Sequence, residues 1–296
     1  MSNISLIIDE RPVSIGKFMV GRLLPFVNKR TVGPFAFIDH MGPVKMEGDD
    51  SIDVPPHPHI GLSTLTYLFE GSIMHRDTLG NIVEIKPGEV NWMTAGSGIV
   101  HSERTPDRLK RSNQILHGLQ IWVALPKDLE EMKPEFFHIT NAELPIWQEG
   151  DVSFKFLAGE FQGRKSKVPV YSKLFFIEIK SKSRQEINLN SSLFGEAGLY
   201  ILKGGIKSDG NKYEPRHILI ANDSALCDFT MEANSTIYIF GGEPFPEPRH
   251  IYWNFVATTT ELIENAKQKW LDQSFGKIAG ETEFVPLPPQ NYHVKK

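Results

Sequence analysis

The stretch Leu62-Ser63-Thr64-Leu65-Thr66-Tyr67-Leu68-Phe69-Glu70-Gly71 decides the fold class. It is a short run rich in apolar, β-branched and aromatic residues, and it stops at a glycine. Such a run, bounded by a turn residue, reads as a β-strand. Similar runs recur at Ile82 to Ile85, Leu119 to Leu125, Leu174 to Ile179, Leu199 to Leu202 and Ile237 to Phe240. Glycine (24) and proline (20) punctuate the chain between them. Pro87-Gly88 and Ser208-Asp209-Gly210-Asn211 read as turns. The pattern is that of an all-β sandwich or barrel.

Outward from this stretch, two other features set the organisation. Tyr67-Leu68-Phe69-Glu70-Gly71 has a weak echo in Tyr200-Ile201-Leu202-Lys203-Gly204, and a proline turn follows each, at Pro87 and Pro215. Two copies of one β-barrel explain the echo. The expected domains are residues 1–135 and 136–296, connected through the Pro-rich, acidic stretch Pro126 to Gly150. One helix is expected at about 258–271, closing the second domain. There Leu262, Ile263, Ala266 and Trp270 fall at helical spacing, Thr258 and Glu261 fit a capping box, and Gly276 follows. Lys127 to Met132 reads as a helical turn.

Immediately upstream of Leu62 stands His57-Pro58-His59, and further downstream stands His101-Ser102-Glu103. In an extended strand, residues two apart share a face. Two such strands side by side would aim three imidazoles and one carboxylate at one point, which is a metal site. With 10 His in 296 residues, a His-x-His arises by chance roughly 0.3 times and a His-x-Asp/Glu roughly 1.2 times. The weight therefore lies in the pairing. The second copy has only His217 in this region. Pro58 lacks an N–H and belongs at a strand start, edge or bulge.

Three imidazoles and a carboxylate suit Fe(II), Mn(II), Co(II), Ni(II), Cu(II) or Zn(II). Four protein ligands leave open positions, the mark of a catalytic metal. Asp39 and His40 are candidates to orient a ligating imidazole from behind. Phe35, Phe37, Trp92 and Met93 are candidates to line an apolar pocket for an aromatic ligand. His75 and Asp77 read as a solvated or rim pair. His117, His138, His217, His250 and His293 read as structural or surface residues.

Composition excludes other classes. A net charge of −4 argues against a dedicated nucleic-acid binder. No apolar stretch is long enough for a membrane helix, and no signal peptide is read at Met1 to Glu10. The single cysteine, Cys227, permits no internal disulfide, fits the cytoplasm, and reads as a small buried hydrophobe. Thr94-Ala95-Gly96-Ser97-Gly98 has no Lys and no nucleophile elbow. Arg104 to Arg111, interrupted by Asp107, reads as a solvated surface.

A set of motifs narrows the reading further. Pro56-His57-Pro58-His59, Thr66 to Gly71, His75-Arg76-Asp77, Trp92-Met93-Thr94-Ala95-Gly96, Gly98 to Glu103 and Phe240-Gly241-Gly242-Glu243-Pro244 together resemble the pirin family of the cupin superfamily. The likeness runs from about Gly33 to Gly276. It implies an all-β protein of two stacked cupin (jelly-roll) barrels with a short C-terminal helix and a metal site in the N-terminal barrel. It maps the ligands onto His57, His59, His101 and Glu103, with Fe(II) as the first expectation. It implies a quercetin 2,3-dioxygenase-like reaction of O₂ with a flavonol-type aromatic substrate. Because a ligand carboxylate can detach and take a proton, Glu103 is also expected to serve as general base. The alternative the resemblance implies is a metal- or redox-responsive regulator that binds a protein partner without significant turnover. A monomer is expected. Ile60 and Ser63 depart from the family pattern, standing where many members carry Arg and Glu. The carboxylate ligand is therefore expected from Glu103.

Overall fold

The computed structural model describes residues 4–15, 18–46, 53–189, 192–221 and 228–289. Cys227 and His293 lie outside the described residues. The chain forms two compact units, and each draws on separate parts of the sequence.

The unit formed by Pro12–Val27, Phe37–Thr140 and Pro246–Lys296 carries the histidine pairs. A seven-stranded sheet runs in the order Glu135–Ile139, Val90–Thr94, Leu62–Glu70, Ile115–Ala124, Phe35–Lys45, Phe18–Leu24, Arg11–Ile15. A four-stranded sheet runs Asp53–His59, Ile99–Arg104, Ile73–Asp77, Ile82–Ile85. Leu68, Leu116 and Met41 of the larger sheet pack with Ile73 and Ile85 of the smaller in one buried cluster. The architecture is two packed sheets of a jelly roll rather than one closed barrel.

The unit formed by Met1–Arg11, Asn28–Ala36 and Asn141–Phe245 repeats the plan. The strand Glu196–Lys203 lies between His217–Ala221 and Ser235–Gly242, as Leu62–Glu70 lies between Val90–Thr94 and Ile115–Ala124. Its small sheet runs Gln185–Asn188, Asp228–Met231, Ile206–Ser208, Asn211–Tyr213. The Tyr67/Tyr200 echo is thus a structural repeat. Both tyrosines are buried, and both strands end at a glycine with positive φ, Gly71 at 82° and Gly204 at 77°. A β-carbon at either glycine would meet backbone of a neighbouring strand. The Asp209-Gly210 turn is a two-residue hairpin loop with φ of 50° and 78°.

Neither unit is one continuous stretch of the chain. The strand Ile4–Asp9 pairs with His217–Ala221, where it satisfies that strand's open edge. The helix, Thr260–Leu271, belongs with the histidine-bearing unit. Its buried Ile263, Ala266 and Trp270 pack against Ile60, Val100 and Phe255. The helix cap is Thr259, whose hydroxyl accepts from the Leu262 N–H. Thr258 is committed elsewhere, since its N–H donates to Glu130 at 2.8 Å. The predicted turn near Lys127 is a short 3₁₀ helix, Lys127–Leu129. Among the described residues no helix is long and apolar enough to cross a membrane.

Candidate metal centre

Asp53–His59 is the edge strand of the small sheet and pairs antiparallel with Ile99–Arg104. His101 stands opposite His57, and Ile99 opposite His59. The register then slips, so that Glu103 faces Val54 and the first strand carries an extra residue at Pro55-Pro56. Edge strands and bulges are the places that tolerate residues without an N–H. The proline-rich path therefore keeps His57 and His59 directed to the same side.

Each of His57, His59 and His101 offers a ring nitrogen within 4.8 Å of the others. His59 Nε2 and His101 Nε2 are 3.1 Å apart. Two imidazoles bound at right angles to one ion, each at about 2.1 Å, put their nitrogens about 3.0 Å apart. The spacing therefore fits a shared divalent ion. His57 Nδ1 lies 2.8 Å from the Pro55 carbonyl, so its Nε2 is left for the cluster. His59 Nδ1 is buried without a hydrogen bond of good geometry, and only a weak backbone interaction with Asn254 favours its charged form.

Burial dominates the electrostatics. It lowers the His57 pKa to about 4, with the neighbouring His75 adding to the effect and the Pro55 carbonyl opposing it. Burial, then His57, holds His59 well below the usual histidine value. His101 is held down in the same way by burial and then by His57, His59 and His75. All three rings are neutral at pH 7, the form that binds metal. The Glu103 carboxyl is pushed up by burial, against the opposing effects of His75 and of a hydrogen bond from Thr66. The Thr66 hydroxyl lies 3.3 Å from Glu103 Oε1 and 3.0 Å from Gln120 Oε1. Glu103 stands outside the tight histidine triad but lines the same pocket.

That pocket has a volume of about 380 Å³, within the common range for small-ligand sites of roughly 300–1,000 Å³. Phe37 lines it, stacked on Trp122 with ring centroids 3.9 Å apart. Trp122 in turn meets His59 edge-on at 5.3 Å. Asp39 lines the pocket in a bidentate pair with Arg22, both contacts at 2.8 Å. His40 pairs with His117, their Nε2 atoms 2.8 Å apart. Trp92 is buried and donates to Thr94, Met93 packs with Ala95 and Ile99, and Phe35 packs with Phe176 and Phe240. None of these three lines the pocket.

His75 and Asp77 are not at a rim. Both are almost fully buried, and His75 Nδ1 lies 3.4 Å from His101 Nδ1. Sequence patterning also missed Arg22, Gln120, Trp122, Trp253, Asn254 and Val285 as pocket residues. No local signal marks them, because they come from strands and loops distant in the chain. Ile60 packs against the helix cluster, and the Ser63 and Thr94 hydroxyls are 2.9 Å apart. In the other unit the corresponding strands carry buried Ile187, Phe229 and Met231, which belong to its apolar core.

Comparison with known proteins identifies the family. Residues 17–123 match Pirin, and residues 176–276 match the Pirin C-terminal cupin domain. A pirin-like protein of Caulobacter vibrioides is 44% identical over 292 residues, 96% of this chain and 99% of that one. The chain belongs to the pirin family. The crystal structure of a quercetin 2,3-dioxygenase from Acinetobacter baumannii is similar to it, with a TM-score of 0.86, 32% identity and 97% of each chain covered. The bacterial pirin YhhW from Escherichia coli, solved in complex with nickel(II), shares the fold, with a TM-score of 0.62, 18% identity, and 81% of this chain and 99% of that one covered. Within the pirin family, this chain is a two-unit cupin protein whose first unit holds a histidine cluster of metal-binding type.

Proposed function

We propose that this protein is an Fe(II)-dependent dioxygenase that opens the ring of flavonol-type aromatic substrates, with His57, His59, His101 and Glu103 holding the metal. The observation that carries this reading is the set of three neutral, converging imidazoles at the wall of an aromatic-lined pocket. Similarity to the Acinetobacter baumannii quercetin 2,3-dioxygenase supports the same substrate class. Bound iron would supply a Lewis acid for the substrate oxygens and redox chemistry for O₂.

The chain's own residues then have definite tasks. Glu103 takes the proton of the enolic hydroxyl on a carboxylate oxygen. Burial raises its proton affinity, which makes it a better base. Thr66 orients that oxygen. The Phe37–Trp122 stack offers a flat apolar wall to a planar ring system. Trp253 and Val285, from the C-terminal segment, help exclude water. All the proposed ligands come from one chain, so a monomer suffices. A cytoplasmic, reducing setting keeps iron divalent and agrees with a single cysteine.

The test is aerobic. The protein is loaded with Fe(II), quercetin is added, and loss of its visible band is followed together with O₂ uptake. Stoichiometric loss of both is expected. No turnover with Fe(II), Mn(II), Co(II) or Ni(II) would overturn the proposal in favour of a metal-responsive binding role.

A further inference from the structure

A chain of buried polar contacts runs away from the metal cluster. His101 Nδ1 lies 3.4 Å from His75 Nδ1, and His75 Nε2 lies 3.0 Å from Asp77 Oδ2. Asp77 is anchored in turn. Its Oδ1 accepts from the Leu79 and Asn81 backbone N–H groups at 2.9 and 3.1 Å, and the Asn81 amide reaches both its oxygens. Phe136 stacks on the His75 ring at 4.5 Å and fixes its plane. His75, Asp77 and His101 are each no more than 3% exposed.

The proton positions along this chain follow from donor counting. Burial pushes the Asp77 carboxyl up, but the bonds from His75 and Asn81 outweigh it and keep Asp77 below the usual range, so it is an anion that accepts. It takes the His75 proton at Nε2. His101 turns Nε2 toward the cluster and must leave that nitrogen bare to hold a metal, so its own proton belongs on Nδ1 and the facing His75 Nδ1 accepts it.

We propose that Asp77 and His75 are positioning residues that fix the His101 tautomer and ring orientation and raise its basicity toward the metal. The inference rests on metal binding by the triad and is independent of the substrate. Carboxylates and carbonyls commonly orient ligating histidines from behind. Here a second imidazole is interposed between the carboxylate and the ligand. The pair is not required by the fold itself. In the other unit the corresponding strand, Ile206–Ser208, reads Ile-Lys-Ser.

The test reads metal binding and proton position rather than turnover. In Co(II) titrations, His75→Leu should lose about 10–100-fold in affinity and alter the visible Co(II) bands. His75→Gln, whose amide oxygen can accept the same proton, should recover most of both. Asp77→Asn should fall between. A merely structural role would lower the melting temperature of the metal-free protein while leaving Co(II) affinity and bands as in wild type, and that result overturns the proposal. Wild-type protein that takes up no Co(II) would sink the metal reading and the relay with it. Should His75→Leu fail to fold, the wild-type protein decides. In its Zn(II)-loaded form, long-range ¹H–¹⁵N spectra should find protons on His101 Nδ1 and His75 Nε2. A proton on His75 Nδ1 would overturn the inference.

Discussion

The Nδ1 of His57 lies 2.8 Å from the carbonyl oxygen of Pro55, two residues back on the same strand. The bulge at Pro55-Pro56 turns that carbonyl toward the ring. Proline thus serves twice, tolerating the edge position and supplying the acceptor that sets the tautomer of its neighbour.

The metal-free protein should lose stability on acidification. The folded pKa values of His57, His59 and His101 lie below the unfolded value near 6.5. The unfolded chain therefore binds more protons, and the stability present above pH 6.5 falls as pH drops through the window down to about 4 for His57. His57 alone contributes up to about 3 kcal/mol to this loss. Urea midpoints measured at pH 7, 5.5 and 4.5 should decline steadily. A midpoint unchanged across that range would contradict the neutral-triad account.

Asp39→Ala should be costly, because it leaves the Arg22 guanidinium buried beside Phe37 without its carboxylate. The expected loss is about 3–5 kcal/mol. The double variant R22M/D39L should regain most of it, since apolar side chains of similar volume replace both charges. Denaturant titrations giving equal losses for the single and double variants would remove the ion pair from the explanation.

Glu103→Gln should keep the fold and the three imidazoles while removing the proton acceptor. Turnover of quercetin should fall by about 10²–10⁴ with the protein still carrying metal through the histidines. Full activity with iron bound would eliminate the base role.

Trp270→Ala should act on the pocket from outside it. Trp270 is buried, stacks on Phe284 at 4.8 Å, and donates to the Val285 carbonyl at 2.9 Å. Val285 lines the metal pocket. The cavity should cost about 3–5 kcal/mol. Residues 277–289 should also exchange amide protons faster, while the strands around His57 stay protected. Uniform protection across the C-terminal segment would show that Arg104, paired with Glu281 at 2.6 Å, holds it without Trp270.

By itself the sequence determined the elements whose physics is local. Strand LSTLTYLF, the Asp209-Gly210 hairpin and the helix around Ile263 follow from side-chain period and turn chemistry within a few residues. The ligand spacing of His57/His59 follows from the strand period of two, and the repeat told which copy carries it. Tertiary structure decided whatever depends on partners distant in the chain. Phe35–Lys45 is buried on both faces along most of its length, so no alternation indicates that Phe37 and Asp39 face the pocket while His40 faces His117. His75 and Asp77 read in sequence as a solvated or rim pair. They become a buried relay only because the strand Ile73–Asp77 pairs with Ile99–Arg104, which sets His101 opposite Asp77. The helix joins the histidine-bearing unit for the same reason. Its apolar face is legible from its spacing, but the surface that covers it is set by contacts with Ile60, Val100 and Phe255.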